Sequence, residues 1–109
     1  MTLLLGLDVG TTSVKAVVYR TDGTAAGASS LPTPTHIPRP GWAFYSPDEL
    51  WQTVVRAIRG ALADLPNPEQ IASVAVASVG ESGVLVDAAG AATTDCIAWF
   101  DIRTRPQAR

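Results

Sequence analysis

The chain has 109 residues, a formal net charge of −2 at pH 7, 47% hydrophobic side chains, one cysteine and one histidine. That length supports one domain with a real core but is small for an enzyme that must clamp two substrates. The near-neutral charge argues against a nucleic-acid surface, and lone Cys96 and His36 exclude an internal disulfide and a soft-ligand metal cluster, so any metal is expected to be oxygen-bound. Met1 to Val9 is too short for a membrane span, lacks a basic leader and is interrupted by Asp8. No membrane partner is therefore expected, and a cytoplasmic location is.

Leu3 to Leu7 reads as a buried strand and Val14 to Tyr19 as a second, which puts Asp8-Val9-Gly10-Thr11-Thr12-Ser13 at a tight turn between them. One acid, a glycine and three hydroxyls in such a turn suit a phosphate-and-metal corner. A carboxylate beside a polyphosphate is repulsive unless Mg²⁺ bridges the two, so Asp8 reads as a metal ligand. Gly10 permits close approach, and Thr11 and Thr12 offer hydroxyl and amide donors to phosphoryl oxygens. A P-loop fails on spacing, since Gly6 to Gly10 is one residue short and no Lys follows Gly10. A plain hairpin turn, with Asp and Thr as turn formers, is the alternative.

Thr21-Asp22-Gly23-Thr24 is a hairpin signal, and a third strand over about Ala25 to Leu31 completes an antiparallel meander. Lys15 on the second strand reads as solvated. Residues 31–41 hold four prolines and read as a stiff connector, or as a polyproline ligand; His36 within it has no acid nearby in sequence. Ser46-Pro47-Asp48-Glu49 is a capping box that starts a helix, with Leu50, Trp51, Val54, Val55, Ile58 and Leu62 as its apolar stripe and an end near Leu65.

Ile71 to Val79 carries small and β-branched residues on both faces, the pattern of a strand buried from both sides and returning parallel after the helix. It ends in Gly80-Glu81-Ser82-Gly83. Ligands gather at the carboxyl ends of parallel strands, so Glu81 reads either as a site residue or as a solvated loop acid. Val84 to Val86 reads as a strand ending in a turn, and Cys96 to Trp99 as another, giving a mixed sheet. Cys96 reads as an inert small hydrophobe. Trp99 can face the C–H side of a sugar while acids and guanidinium groups take hydroxyls, or it can be plain core.

In order and spacing, Gly6 to Lys15, the Asp22-Gly23 hairpin, Gly41-Trp42 ahead of Ser46 to Trp51, and Trp99-Phe100-Asp101-Ile102-Arg103 resemble the opening part of the FGGY carbohydrate kinases. The resemblance implies an α/β fold of the ribonuclease H-like, actin and Hsp70 type, with residues 1–109 the incomplete N-terminal part of the first of two domains. It implies ATP and Mg²⁺, a sugar or polyol as the other substrate, and phosphate transfer to a hydroxyl. Carried over by position, Asp8 holds Mg²⁺ through water, and Gly10, Thr11 and Thr12 meet the γ-phosphate. Glu81, Trp99, Asp101 and Arg103 fall on the substrate side. The general-base aspartate is expected downstream of Arg109, so this segment alone is expected to be inactive. Gly80-Glu81 lacks the Met-His pair of xylulose kinases and the Arg-Glu pair of glycerol kinases, and Ala43-Phe44-Tyr45 departs from the acidic and amide residues usual after Gly-Trp. A non-catalytic actin-like binding module is the alternative. Without its later helices the segment is expected to expose apolar surface and to self-associate.

Overall fold

The computed structural model describes residues 1–108. In chain order the elements are β1 (Leu3–Val9), β2 (Ser13–Arg20), β3 (Ala25–Pro32), β4 (Phe44–Tyr45), α1 (Pro47–Leu62), β5 (Ile71–Ser78) and β6 (Cys96–Ile97), with single 3₁₀ turns at Pro68–Gln70 and Arg105–Gln107. They fall into two compact units, one of Met1–Thr33 with Gln52–Ser78, the other of Pro34–Trp51 with the residues from Val79 onward.

The first unit is a four-stranded mixed sheet in the order β3-β2-β1-β5. The β1–β2–β3 meander is antiparallel, with Leu5 opposite Val18 and Val18 opposite Gly27, and β5 runs parallel to β1. Asp-Gly makes the second hairpin because Gly23 takes a φ of +89° and Asp22 accepts from both the amide and the hydroxyl of Thr24. Those two bonds also hold the exposed Asp22 carboxyl below its ordinary range.

Strand alternation sorts Leu3, Leu5, Leu7, Val14, Ala16 and Val18 onto one buried face. Thr53, Val54, Ala57 and Ala61 are the buried residues of α1. The helix seats closely through small residues: a Cβ on Gly27 would stand 2.2 Å from the Ala61 carbonyl oxygen, and one on Gly60 2.5 Å from Ser29 Oγ. This differs from the stripe expected from hydrophobicity alone. Trp51 is 65% exposed, Ala57 and Ala61 are buried in its place, and the helix ends at Leu62.

Two strand expectations are corrected. β5 is exposed along nearly its whole length, with Val74 at 57% and Val76 at 62%, because it is the edge strand and nothing among the described residues covers it. Val84 to Val86 forms no strand and makes a lone bridge from Val86 to Ala92. There Thr94 Oγ1 accepts from the Leu85 amide and Thr93 donates through both its amide and its hydroxyl to the Leu85 carbonyl, so threonine side chains take up part of the pairing that a regular ladder would make.

The second unit pairs β4 with β6, Tyr45 opposite Cys96 and Phe44 opposite Ile97. Its small core is Ala43, Tyr45 and Ala98, with Cys96 packed against it. Burial pushes the Cys96 thiol up, away from thiolate, as expected for an inert cysteine. His36, without an acid near it in sequence, is brought 2.6 Å from Glu49 and stacks on Phe44 with ring centres 4.8 Å apart.

Candidate functional site

In the first unit, register decides what the β1–β2 turn presents. Asp8 lies opposite Lys15 on the sheet face that the buried leucines do not use. Asp8, Lys15, Gly6, Tyr19 and Ala77 line a shallow depression of about 430 Å³ on that face. Asp8 is exposed, and among the described residues no ion pair ties it to Lys15. The Gly10 amide donates to the Ser13 carbonyl at 2.9 Å, and a Cβ on Gly10 would come to 2.9 Å from that same oxygen. The glycine is therefore required by the turn itself. Thr33, the residue after β3, reaches both arms: its Oγ1 donates to the Gly10 carbonyl at 2.7 Å and its amide to the Thr12 carbonyl at 3.0 Å.

In the second unit, a cavity of about 610 Å³ is lined by Glu81, Trp99 and Asp101 together with Thr94, Asp95 and Thr104. Glu81 has a φ of +56°, the left-handed region, which costs a side-chain-bearing residue about 1–2 kcal/mol. Beside it Ser82 Oγ is buried with no hydrogen-bond partner among the described residues. Backbone strain and an orphaned hydroxyl thus fall side by side in one short loop. Trp99 is 54% exposed as a residue, and its ring meets Phe100 edge to face with centroids 5.5 Å apart.

Asp101 is differently placed. Its carboxylate has no solvent exposure and accepts from the Ala43 amide at 2.6 Å, the Arg103 amide at 2.7 Å and the Arg103 guanidinium at 2.8 Å. The Arg103 side chain, followed by these amides, holds the Asp101 carboxyl down to about 2 against the opposing effect of burial. The Arg103 guanidinium in turn lies 4.1 Å over the Trp42 ring, which Arg39 also approaches at 4.3 Å. Asp101 and Arg103 thus spend their charge on each other, on the Ala43 amide and on the Trp42 ring, and of the two Asp101 lines the cavity.

Sequence reading did not single out Thr33, Thr94 or Asp95. Thr33 carried one signal, its position between Pro32 and Pro34, which favours an extended residue. Among the described residues no three His, Cys, Asp or Glu side chains converge, and no helix is long and apolar enough to cross a membrane.

A mixed sheet opening in an antiparallel meander, with an acid beside its first turn and a parallel strand on β1, is the opening of a ribonuclease H-like fold of the actin and Hsp70 type, as the structural likeness below bears out. A profile of the FGGY family of carbohydrate kinases, N-terminal domain, matches residues 3–109, and the chain belongs to that family. It is 34% identical over 102 residues to a glycerol kinase of Thermococcus onnurineus (strain NA1), a match covering 93% of this chain and 21% of that protein. The crystal structure of a protein described as a xyloylose kinase from Brucella ovis superposes with a TM-score of 0.90 at 28% identity, covering 97% of this chain and 22% of the other. A Plasmodium falciparum glycerol kinase with ADP shares the fold, with a TM-score of 0.82 at 20% identity, covering 98% of this chain and 22% of that one. The chain spans about a fifth of the length of the relatives it matches.

Proposed function

We propose that this chain forms the N-terminal part of the first domain of a cytoplasmic, ATP-dependent carbohydrate kinase, one that moves the γ-phosphate of ATP to a hydroxyl of a sugar or polyol. The observation that carries the reading is the exposed Asp8 beside a braced Thr11-Thr12 turn, in a chain matched to FGGY kinases from residue 3 to residue 109.

Mg²⁺ suits the residues present. It keeps several waters and takes one or two carboxylates plus phosphate oxygens, and Asp8 offers one exposed carboxylate, with no cluster of further metal-ligating side chains among the described residues. Mg²⁺ bound there would neutralise charge on the β- and γ-phosphates. Asp8 would then hold the metal, while the Gly10, Thr11 and Thr12 segment would position the terminal phosphoryl. In the second unit Trp99 stacks on the C–H face of the substrate and Glu81 accepts from its hydroxyls. Asp101 and Arg103 fix the loop that carries Trp99. The acceptor oxygen forms its bond to phosphorus as the bridging bond to ADP breaks, and its proton passes to a base contributed from beyond residue 109.

The test is an intact kinase carrying this segment, assayed by ADP release against pentuloses, hexuloses, glycerol and other polyols. Phosphorylation of one of these classes supports the reading. MgATP binding without transfer to any of them favours the non-catalytic module. The 109-residue chain alone is expected to be inactive and, with Val74 and Val76 uncovered, to self-associate in light scattering, with a clean monomer as the contrary result.

A further inference from the structure

We infer that Thr33 is a positioning residue for the phosphate turn, a brace that fixes which way the Thr11 and Ser13 amides point; the inference rests on the kinase reading above. The register of β2 on β3 sets Ser13 opposite Pro32, so the next residue passes the end of the turn. Thr33 grips both arms there, its hydroxyl on the Gly10 carbonyl at 2.7 Å and its amide on the Thr12 carbonyl at 3.0 Å.

The consequence follows from peptide geometry. Within one trans peptide the carbonyl and the N–H point in opposite directions, so pinning the Gly10 oxygen orients the Thr11 N–H, and pinning the Thr12 oxygen orients the Ser13 N–H. The Gly10–Ser13 bond closes the turn but engages neither the Gly10 nor the Thr12 carbonyl, for which a separate lock is needed. Thr33 supplies one from outside, and its own backbone and side chain are stiff, because it is β-branched, lies between two prolines, and is held extended by the second of them. Preorganised amides stabilise charge developing on a transferring phosphoryl group because they need not reorient when it appears.

Two variants in the intact kinase separate the possibilities. Thr33→Val keeps the shape and the amide bond but removes the hydroxyl, whereas Thr33→Ser keeps the hydroxyl. Thr33→Val is expected to lower kcat and raise KM for MgATP, together by roughly tenfold in kcat/KM, with KM for the sugar unchanged, and Thr33→Ser is expected to restore most of the loss. Amide hydrogen exchange at Gly10, whose N–H closes the turn on Ser13, is expected to quicken in Thr33→Val and not in Thr33→Ser. Unchanged exchange and unchanged MgATP kinetics in Thr33→Val overturn the brace, as does an equal shift in the sugar KM, which marks a general loss of structure. If Asp8→Asn abolishes transfer while Thr33→Val behaves as wild type, only this inference fails. If the wild-type enzyme neither binds MgATP nor phosphorylates any polyol, the kinase reading fails, and Gly10 exchange still decides whether the brace exists.

Discussion

The β1–β2 turn and the Gly80–Gly83 loop are both short polar segments at strand ends, yet they are built in opposite ways. The turn is held from several sides: its own Gly10–Ser13 bond closes it, the flanking strands pair residue for residue, and Thr33 pins two of its carbonyls. The loop has a residue in the left-handed region, an orphaned hydroxyl, and glycines whose side-chain positions face open space. In the proposed enzyme the first region meets a nucleotide, the same for every kinase of the family, and the second meets the substrate that differs among them. Rigid strands suit the constant partner, and a loosely determined loop on a fixed scaffold suits the variable one.

The largest way to break this contrast is Asp8→Asn in the intact kinase. Loss of the charge facing metal and phosphate is expected to cut kcat about a hundredfold or more while the sugar KM moves little, as read by steady-state kinetics. An enzyme that keeps full activity denies the turn its role. Next comes Gly27→Ala, which acts on the seating of the helix against the sheet that carries the turn. The added methyl meets the Ala61 carbonyl oxygen at 2.2 Å, so helix and strand must separate, and a loss of about 1–3 kcal/mol is expected from denaturant unfolding. Stability equal to wild type would show that the helix seats by other contacts.

How far the sequence disclosed these features depended on how local their causes are. The meander, the Asp22-Gly23 hairpin and the helix start at Ser46 rest on residues close to one another along the chain, and these were legible. The helix face was less so. Hydrophobicity selects large residues such as Trp51, whereas the observed seat is set by what Gly27 and Gly60 allow, and the contact of Gly27 with Ala61 joins distant parts of the chain. The composition of β5 described a strand suited to burial on both faces, but exposure depends on what lies against it, which composition does not encode. At the site, Asp8 and Glu81 stood out because of their neighbours in sequence. Thr33 did not, since its partner Gly10 is 23 positions away, and the fixing of Asp101 by Ala43 spans 58.

A smaller effect sharpens the contrast from the loop side. Glu81→Gly is expected to relieve the left-handed backbone and to leave the protein no less stable, by up to about 1 kcal/mol more stable, while raising the sugar KM several-fold. Gain of stability with loss of affinity is the signature of a residue retained for binding. An unchanged sugar KM across a substrate panel would remove Glu81 from the site.

The smallest effect concerns the wall behind that loop and is read by pH. Asp101 has its carboxyl lowered from 3.8 to about 2 in the folded chain, first by the Arg103 side chain and then by the amides of Arg103 and Ala43. A group with a depressed folded pKa contributes stability that is fully present above its unfolded value and is lost as pH falls through the folded one. The contribution therefore stands unchanged above about pH 5 and fades between about pH 4 and pH 2. Because Arg103 stacks on Trp42, its release on protonation of Asp101 should alter indole fluorescence in the same window. In Asp101→Asn the acid-dependent step should be absent, the neutral amide having no proton to gain, while the emission at neutral pH moves toward that of the acidified parent. A parent whose emission is flat from pH 5 to pH 2 would mean that the carboxylate does not hold Arg103 over the ring, and the wall would have to be held by the small core of Ala43, Tyr45 and Ala98 alone.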